Sequence, residues 1–148
     1  MADLIKPSRQ ELSFRNKIHE SKKTMSFQGY IDSYTEEELD IFMKEVVEGN
    51  ESKQLYRLVY CDGCADFVSE TSWIYDDTLK GYVWNVIVRN DLRRVGYGRE
   101  SLRLMKEEAL RHDIHTFYSY ISEDNEIARK FLLKEGFKKE NKVYCLTF

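Results

Sequence analysis

Proline is almost absent from this 148-residue chain, and the single one, Pro7, lies near the N-terminus. Seven glycines are scattered along the rest, so no Pro/Gly-rich linker divides the chain. Cysteine is scarce too. Three residues are an odd number for a disulfide framework and fit a reducing, cytoplasmic compartment. The three histidines, His19, His112 and His115, form no ligand pattern, so no metal site is expected. No run of about 18 apolar residues is available to span a membrane. Residues 1–7 lack the apolar core of a secretory signal. Positive charge is not in excess either: 23 bases stand against 26 acids, a net charge of −3 that argues against nucleic acid as a partner.

What is present suits a folded domain. The chain is 33% charged and 42% hydrophobic, with ten Tyr, eight Phe and two Trp. At this length a fold removes roughly two-thirds of the extended chain's surface from water, enough for a core without staples. A single domain over residues 1–148 is expected. Cys61 and Cys64 form a Cys-x-x-Cys, but they flank Asp62-Gly63, a strong hairpin-turn dipeptide. They are therefore expected to be two strand ends facing each other across a turn.

Residues 3–6 suit an edge strand. Ser8 and Glu11 make a capping box for a helix that runs to about residue 23, with Leu12, Phe14 and Ile18 as its apolar positions. Thr35 and Glu38 make a second box. Leu39, Phe42, Met43 and Val46 follow at i, i+3, i+4 and i+7, and Gly49-Asn50 stops that helix. Its outer face carries Glu36, Glu37, Asp40, Glu45 and Glu48. Residues 32–53 hold eight acids and two bases, a local charge of −6 that suits a solvated face and would also attract a cationic amine. Strands are expected at 54–60, 65–75 and 81–88. The last is nearly continuously apolar, so both its faces should be covered. A helix from about 98 to 112, a strand at 115–122, a helix at 125–135 and a last strand or strand pair at 137–148 complete a mixed α/β domain.

Chemistry concentrates in Arg93-Arg94-Val95-Gly96-Tyr97-Gly98-Arg99, between the buried strand and a helix start. Helix N-termini present unpaired N–H groups and the positive end of the macrodipole. Glycine removes the Cβ that would keep a ligand away, and three arginines add charge, so the segment suits a phosphate or pyrophosphate. A P-loop is excluded because Gly98-Arg99-Glu100 is not Gly-Lys-Ser/Thr, and a dinucleotide fingerprint because position 101 is Ser. The alternative is a tight strand-to-helix turn that uses glycine with no ligand.

Arg93-x-x-Gly96-x-Gly98, following this strand, resembles the acyl-CoA pyrophosphate motif of the GNAT superfamily of N-acyltransferases. The segment running from Asn125 through Ala128 and Phe131 to Gly136-Phe137 is similar to that family's second motif, Asn-x-x-Ala-x-x-(Leu/Phe)-Tyr-x-x-x-Gly-Phe, lacking only the Tyr. The resemblance implies a mostly antiparallel central sheet flanked by helices, with acetyl-CoA as acyl donor. It also implies pantetheine pairing along Val86, Ile87 and Val88. The pyrophosphate would sit at Arg93, Arg94, Val95, Gly96, Tyr97, Gly98 and Arg99, with further cofactor contacts from Asn125 and Phe131. The implied chemistry is direct attack of a primary amine on the thioester, with no metal and no covalent enzyme intermediate.

Two departures leave the catalytic residues open. Leu132 stands where the family has the thiolate-protonating Tyr, so Leu132→Tyr would be expected to raise the rate. The strand matching the family's Glu-bearing one holds no carboxylate, and Tyr82 is its nearest titratable residue. Tyr120, Tyr144 and Glu70 are available substitutes, although the two tyrosines suit packed positions and Glu70 a solvated one. These departures also motivate an alternative, a non-catalytic acyl-CoA-binding or regulatory domain. The acceptor is a small-molecule or peptide amine for which residues 8–50 carry no motif, and family members often pair as a homodimer.

Overall fold

The alternating and apolar runs of the middle of the chain become its longest strands. In the computed structural model, which describes residues 1–19, 25–26, 29–30, 33–122 and 124–148, β1 is Ala2–Ile5, and two-residue β2 (Met25–Ser26) and β3 (Gly29–Tyr30) pair with each other. β4 (Gln54–Cys61), β5 (Asp66–Asp76) and β6 (Gly81–Val88) form an antiparallel meander, and β1 adds antiparallel to the outer side of β4. β7 (Thr116–Ser119), β8 (Lys138–Glu140) and β9 (Val143–Thr147) complete a seven-stranded sheet of order β1-β4-β5-β6-β7-β9-β8. Among the described residues only the β6–β7 pair is parallel. The expected mixed, mostly antiparallel architecture is the one observed.

Helices cover both faces. α4 (Tyr97–Arg111) and α5 (Glu126–Lys134) lie over a core of Trp73, Trp84, Leu102, Met105, Phe117, Leu132 and Phe137. On the other face α1 (Arg9–Leu12), α2 (Phe14–His19) and α3 (Glu36–Phe42) cover Leu12, Ile18, Leu39, Tyr56 and Leu58. Both faces of β6 thus meet packed side chains, as its nearly continuous apolar run requires, with Asn85 the exposed exception. No helix among the described residues is long and apolar enough to cross a membrane.

Local signals account for the helix starts. Ser8 Oγ accepts from the Glu11 N–H at 3.1 Å while Glu11 returns the bond at 3.0 Å, and Thr35 with Glu38 does the same. The first helix is not continuous, however. Ser13 N–H bonds back to Gln10 and Asn16 N–H to Ser13, three residues apart, and these tighter turns split α1 from α2. The rest of the expected helix, residues 20–23, lies outside the described residues.

The second helix also departs from a uniform 3.6 period. After Phe42 it widens into a π turn, Met43–Val47. The extra residue per turn rotates the face, so Val47 rather than Val46 is fully buried. Gly49 ends it because a Cβ there would lie 2.4 Å from the Glu45 carbonyl oxygen. Asp62-Gly63 does not form the expected two-residue hairpin. The turn spans four residues, and it is Ala65, at φ 51°, that takes the left-handed conformation. β7 is shorter than expected: β9 pairs with it over Thr116–Ser119, and β6 over two residue pairs within that span.

Several carboxylates titrate below their ordinary range. The Arg57 guanidinium holds Glu51 down, Arg89 holds Asp91 down, and the Thr35 backbone N–H holds Glu38 down. A depressed native pKa contributes stability that is complete above the unfolded value and lost as pH falls through the native one. Denaturant midpoints should therefore hold level near neutrality and fall between about pH 5 and pH 3, with the sharpest loss at the acid end.

Candidate functional site

β6 and β7 run together only at Tyr82–Phe117 and Val83–Tyr118. A last tie, Ser119 Oγ to the Trp84 carbonyl at 3.5 Å, precedes their divergence. Beyond it, residues 85–88 of β6 have β5 on one side and, among the described residues, no strand on the other. An open strand edge of this kind can accept an extended polar chain as a substitute strand.

The chain leaves this edge through a firmly held corner. Arg89 pairs with Asp91 at 2.7 Å and with Asp66 at 2.9 Å, and also donates to the Phe67 carbonyl. Asp91 first, then Asp66, keep its guanidinium charged, and Lys17 joins Asp66 at 2.8 Å. Arg89 thereby ties the end of β6 to the start of β5. Its charge alone did not distinguish it in the sequence, because Asp66 is 23 residues away.

The turn that follows is built on Gly96. It caps α4 with φ 97°, a conformation that costs other residues roughly 1–2 kcal/mol, and a Cβ at this position would meet nothing within 4 Å. No side chain caps the helix, so the first-turn N–H groups face that open space with the positive end of the macrodipole. Gly98 serves differently. A Cβ there would lie 3.3 Å from the Phe131 ring and 3.8 Å from Val88, so its absence lets α4 close on α5. Val88, Gly98 and Phe131, far apart in the chain, meet at this point.

The arginines of the turn divide. Arg93 folds back so that its Nε donates to the Val88 carbonyl at 3.3 Å, and partial desolvation lowers its pKa with no carboxylate beside it. Among the described residues neither Arg93 nor Arg94 has an ion-pair partner, and both are exposed beside the open helix start. Arg99 is already engaged, with Glu135 on α5 at 3.2 Å. Tyr97 sends its side chain away to the β4–β5 hairpin. Asn125 caps α5, its Oδ1 accepting from the Ala128 N–H at 3.1 Å. An anion at the turn would thus meet backbone N–H groups and two unpaired guanidinium groups.

Leu132 points into the core among Trp84, Phe117 and Phe137 and is 2% exposed. A larger ring at this position must overpack those aromatics, a cost in stability that stands apart from any effect on rate. Leu132→Tyr should therefore lower unfolding free energy by roughly 1–3 kcal/mol, read from denaturant titration.

The substitutes named from sequence also fall out differently. Tyr144 is buried, as expected. Tyr120 is 46% exposed rather than packed, beside a shallow pocket of about 240 Å³ lined with Ile121, Ser122 and Lys142, and its hydroxyl lies 3.4 Å from Asp76. Burial first and Asp76 second raise the pKa of that phenol, which keeps its proton.

Glu70 is not solvated. It is 5% exposed, opposite Ile87 of the open-edged strand, and receives the Tyr56 hydroxyl and Arg15 Nε, the latter at 2.9 Å. Arg15 in turn lies 4.0 Å from the Phe42 ring centre and 4.4 Å from that of Tyr34. Burial opposes its charge, but Glu70, Tyr56 and Tyr34 together more than offset this. Burial first and Glu70 second push the Tyr56 hydroxyl well above the ordinary phenol range, so it acts as a donor. No local pattern marks this cluster, whose members come from α2, α3, β4 and β5.

Comparison with solved structures places this fold among known ones. A spermidine N-acetyltransferase SpeG chimera of the Vibrio cholerae and hSSAT proteins superposes with a TM-score of 0.79 at 15% identity, covering 99% of this chain and 95% of that one. Mutant forms of the Vibrio cholerae spermidine/spermine N-acetyltransferase SpeG give 0.77 at 14% identity, over 99% and 93%. A GNAT-family acetyltransferase from Bacillus anthracis gives 0.74 at 14% identity, over 99% and 94%. No curated protein sequence matches. The acetyltransferase (GNAT) family model matches residues 25–137, a span that includes the strand fork, the glycine turn and the second motif. The chain belongs to the GNAT acetyltransferase family.

Proposed function

We propose that this enzyme transfers an acetyl group from acetyl-CoA to a primary amine by direct attack in a ternary complex. The observation that carries this reading is the open edge of β6 running into an uncapped helix start with Arg93 and Arg94 unpaired beside it. The pantetheine arm would pair along Val86, Ile87 and Val88. The pyrophosphate would sit against the N–H groups of the Gly96–Arg99 turn and the two guanidinium groups, with Phe131 closing the far side. Arg99 and the Tyr97 side chain, engaged elsewhere, contribute only their backbone N–H groups.

The chemistry asks little of side chains. Holding an unprotonated amine against the thioester makes attack effectively unimolecular, and N–H groups of the fork edge face the developing oxyanion. Solvent takes the amine proton and supplies one to the departing thiolate, since Leu132 can supply none and Glu70 is committed to Arg15 and Tyr56. Tyr120 is exposed and keeps its proton, so with solvent as the acid Tyr120→Phe should leave turnover within about twofold, and a larger loss would reassign that role.

A cationic acceptor is supported by the acidic α3 and by structural relatives named as spermidine N-acetyltransferases. Arg9 already neutralises part of that face through Glu36 and Asp40, while among the described residues Glu37, Glu45 and Glu48 have no ion-pair partner. Calorimetry with acetyl-CoA, followed by thiol release with spermidine, an aminoglycoside and a basic peptide, tests the reading. Binding with turnover on at least one amine is expected. Binding without turnover on any would favour the non-catalytic domain, and no binding would overturn the cradle assignment.

A further inference from the structure

The Cys-x-x-Cys of the β4–β5 hairpin lies apart from the proposed chemistry, yet it touches the same turn. The Cys61 thiol donates to the Tyr97 hydroxyl at 3.6 Å, and the Cys64 sulfur lies 2.9 Å from that oxygen. Two sulfurs on one oxygen are no farther apart than the sum of those distances. The Cys64 N–H bonds to the Cys61 carbonyl at 3.2 Å, which closes a four-residue turn. Such a turn brings its end Cα atoms within about 7 Å, the upper limit for a disulfide. Gly63 leaves the inside of the turn open: a Cβ there would come no nearer than 3.8 Å to the Cys61 sulfur.

Tyr97 makes this pair more than a surface feature. It is the first residue of α4, its backbone N–H belongs to the anion turn, and its ring packs with Leu92 and Cys64 against Val59, Cys61 and Val68. The hairpin therefore grips the start of the helix through one phenol. All three cysteines are free, with Cys61 buried and Cys64 partly exposed. The hydrogen bond with Tyr97, the largest influence, lowers the Cys61 pKa and so favours its thiolate.

We propose that Cys61 and Cys64 are a reversible oxidation site that closes to a disulfide and thereby loosens the acyl-CoA turn through Tyr97. The inference rests on the cradle reading above. The oxidant is a low-molecular-weight disulfide. The more accessible Cys64 thiolate attacks one of its sulfurs, forming a mixed disulfide and expelling one small thiolate. The Cys61 thiolate, its proton passed to solvent, then attacks the Cys64 sulfur and expels the second. The two protein thiols lose two electrons, and the small disulfide is reduced to two thiols. A disulfide has no S–H to donate and accepts hydrogen bonds poorly, so Tyr97 loses its anchor.

Oxidised glutathione is the probe, with thiol alkylation, intact mass and acetyl-CoA calorimetry on the full chain as readouts. Alkylatable thiols should fall from three to one, Cys145, with a mass lower by two hydrogens. The Kd for acetyl-CoA should rise about fivefold, the size of one lost hydrogen bond, and recover on reduction. Cys64→Ser should show one affinity under both conditions. Tyr97→Phe should still close the disulfide but lose the redox dependence of binding. A persistent glutathione adduct, or oxidation at Cys145 instead, would overturn the site. Closure with unchanged affinity, or an equal loss in Cys64→Ser, would overturn the coupling. If neither redox form binds acetyl-CoA, the cradle reading fails and the coupling with it, while the thiol count still decides whether the pair closes.

Discussion

Gly96→Val should raise the Kd for acetyl-CoA at least roughly a hundredfold while the sheet and both cores stay folded. Two effects combine. At φ 97° a β-branched residue is strained by about 1–3 kcal/mol, and the turn relieves that strain only by rotating its N–H groups away from the open side. The new side chain also projects into the space an anion would occupy, where each charge-assisted hydrogen bond is worth about 1.5–3 kcal/mol. No neighbour lies within 4 Å of the added Cβ, so the loss falls on binding rather than packing.

Gly98→Val separates the two glycines. Its Cβ would press on the Phe131 ring at 3.3 Å, so its first effect is on the α4–α5 contact and on stability. Arg129→Ala is the control. Among the described residues Arg129 pairs only with Glu126 on its own helix, at 3.4 Å, and its removal should leave affinity within about twofold. Calorimetry on the three variants, with thermal unfolding alongside, distinguishes them; an unchanged Kd for Gly96→Val would remove the turn from the site.

Arg15→Met should cost about 3–5 kcal/mol of unfolding free energy, the largest stability loss expected from any single charge among the described residues. The Arg15 and Glu70 side chains are 12% and 7% exposed, so solvent cannot replace the lost partner. Removing the guanidinium leaves a buried carboxylate that keeps only its remaining hydrogen bonds, and empties the space between Phe42 and Tyr34. The second change Glu70→Gln should recover most of the loss, because a neutral amide still accepts from the Tyr56 hydroxyl. Denaturant unfolding of wild type, both single variants and the double variant gives the coupling directly. A double variant no more stable than Arg15→Met would mean that lost packing, not the buried carboxylate, carries the effect.

What the sequence revealed follows the range of the forces involved. Both capping boxes, at Ser8/Glu11 and Thr35/Glu38, were legible because cap and partner lie three residues apart. The meander of β4, β5 and β6 was legible within one residue at its ends because alternation and apolar runs repeat locally. The glycine turn and the second motif stood out as patterns. Where neighbouring residues competed, the sequence was less informative. Ser13 splits the first helix, and the π turn after Phe42 exchanges Val46 for Val47, because each adjusts the chain to the core beneath it. Asp62-Gly63 promised a two-residue hairpin, but packing placed the left-handed residue at Ala65.

The sequence by itself determined the element order, the mixed sheet, the helix caps and the family pattern around Gly96 and Asn125. These depend on contacts within a turn or a few residues. Only the tertiary structure decided that β6 and β7 part after Val83, that Gly98 admits Phe131, and that Arg93 and Arg94 stay unpaired while Arg99 does not. It also buried Glu70 with Arg15, sank Leu132 into the core and set Tyr97 on the cysteine pair. Each of those outcomes joins residues many positions apart. Burial and charge pairing across the fold chose among options that local patterning left equal.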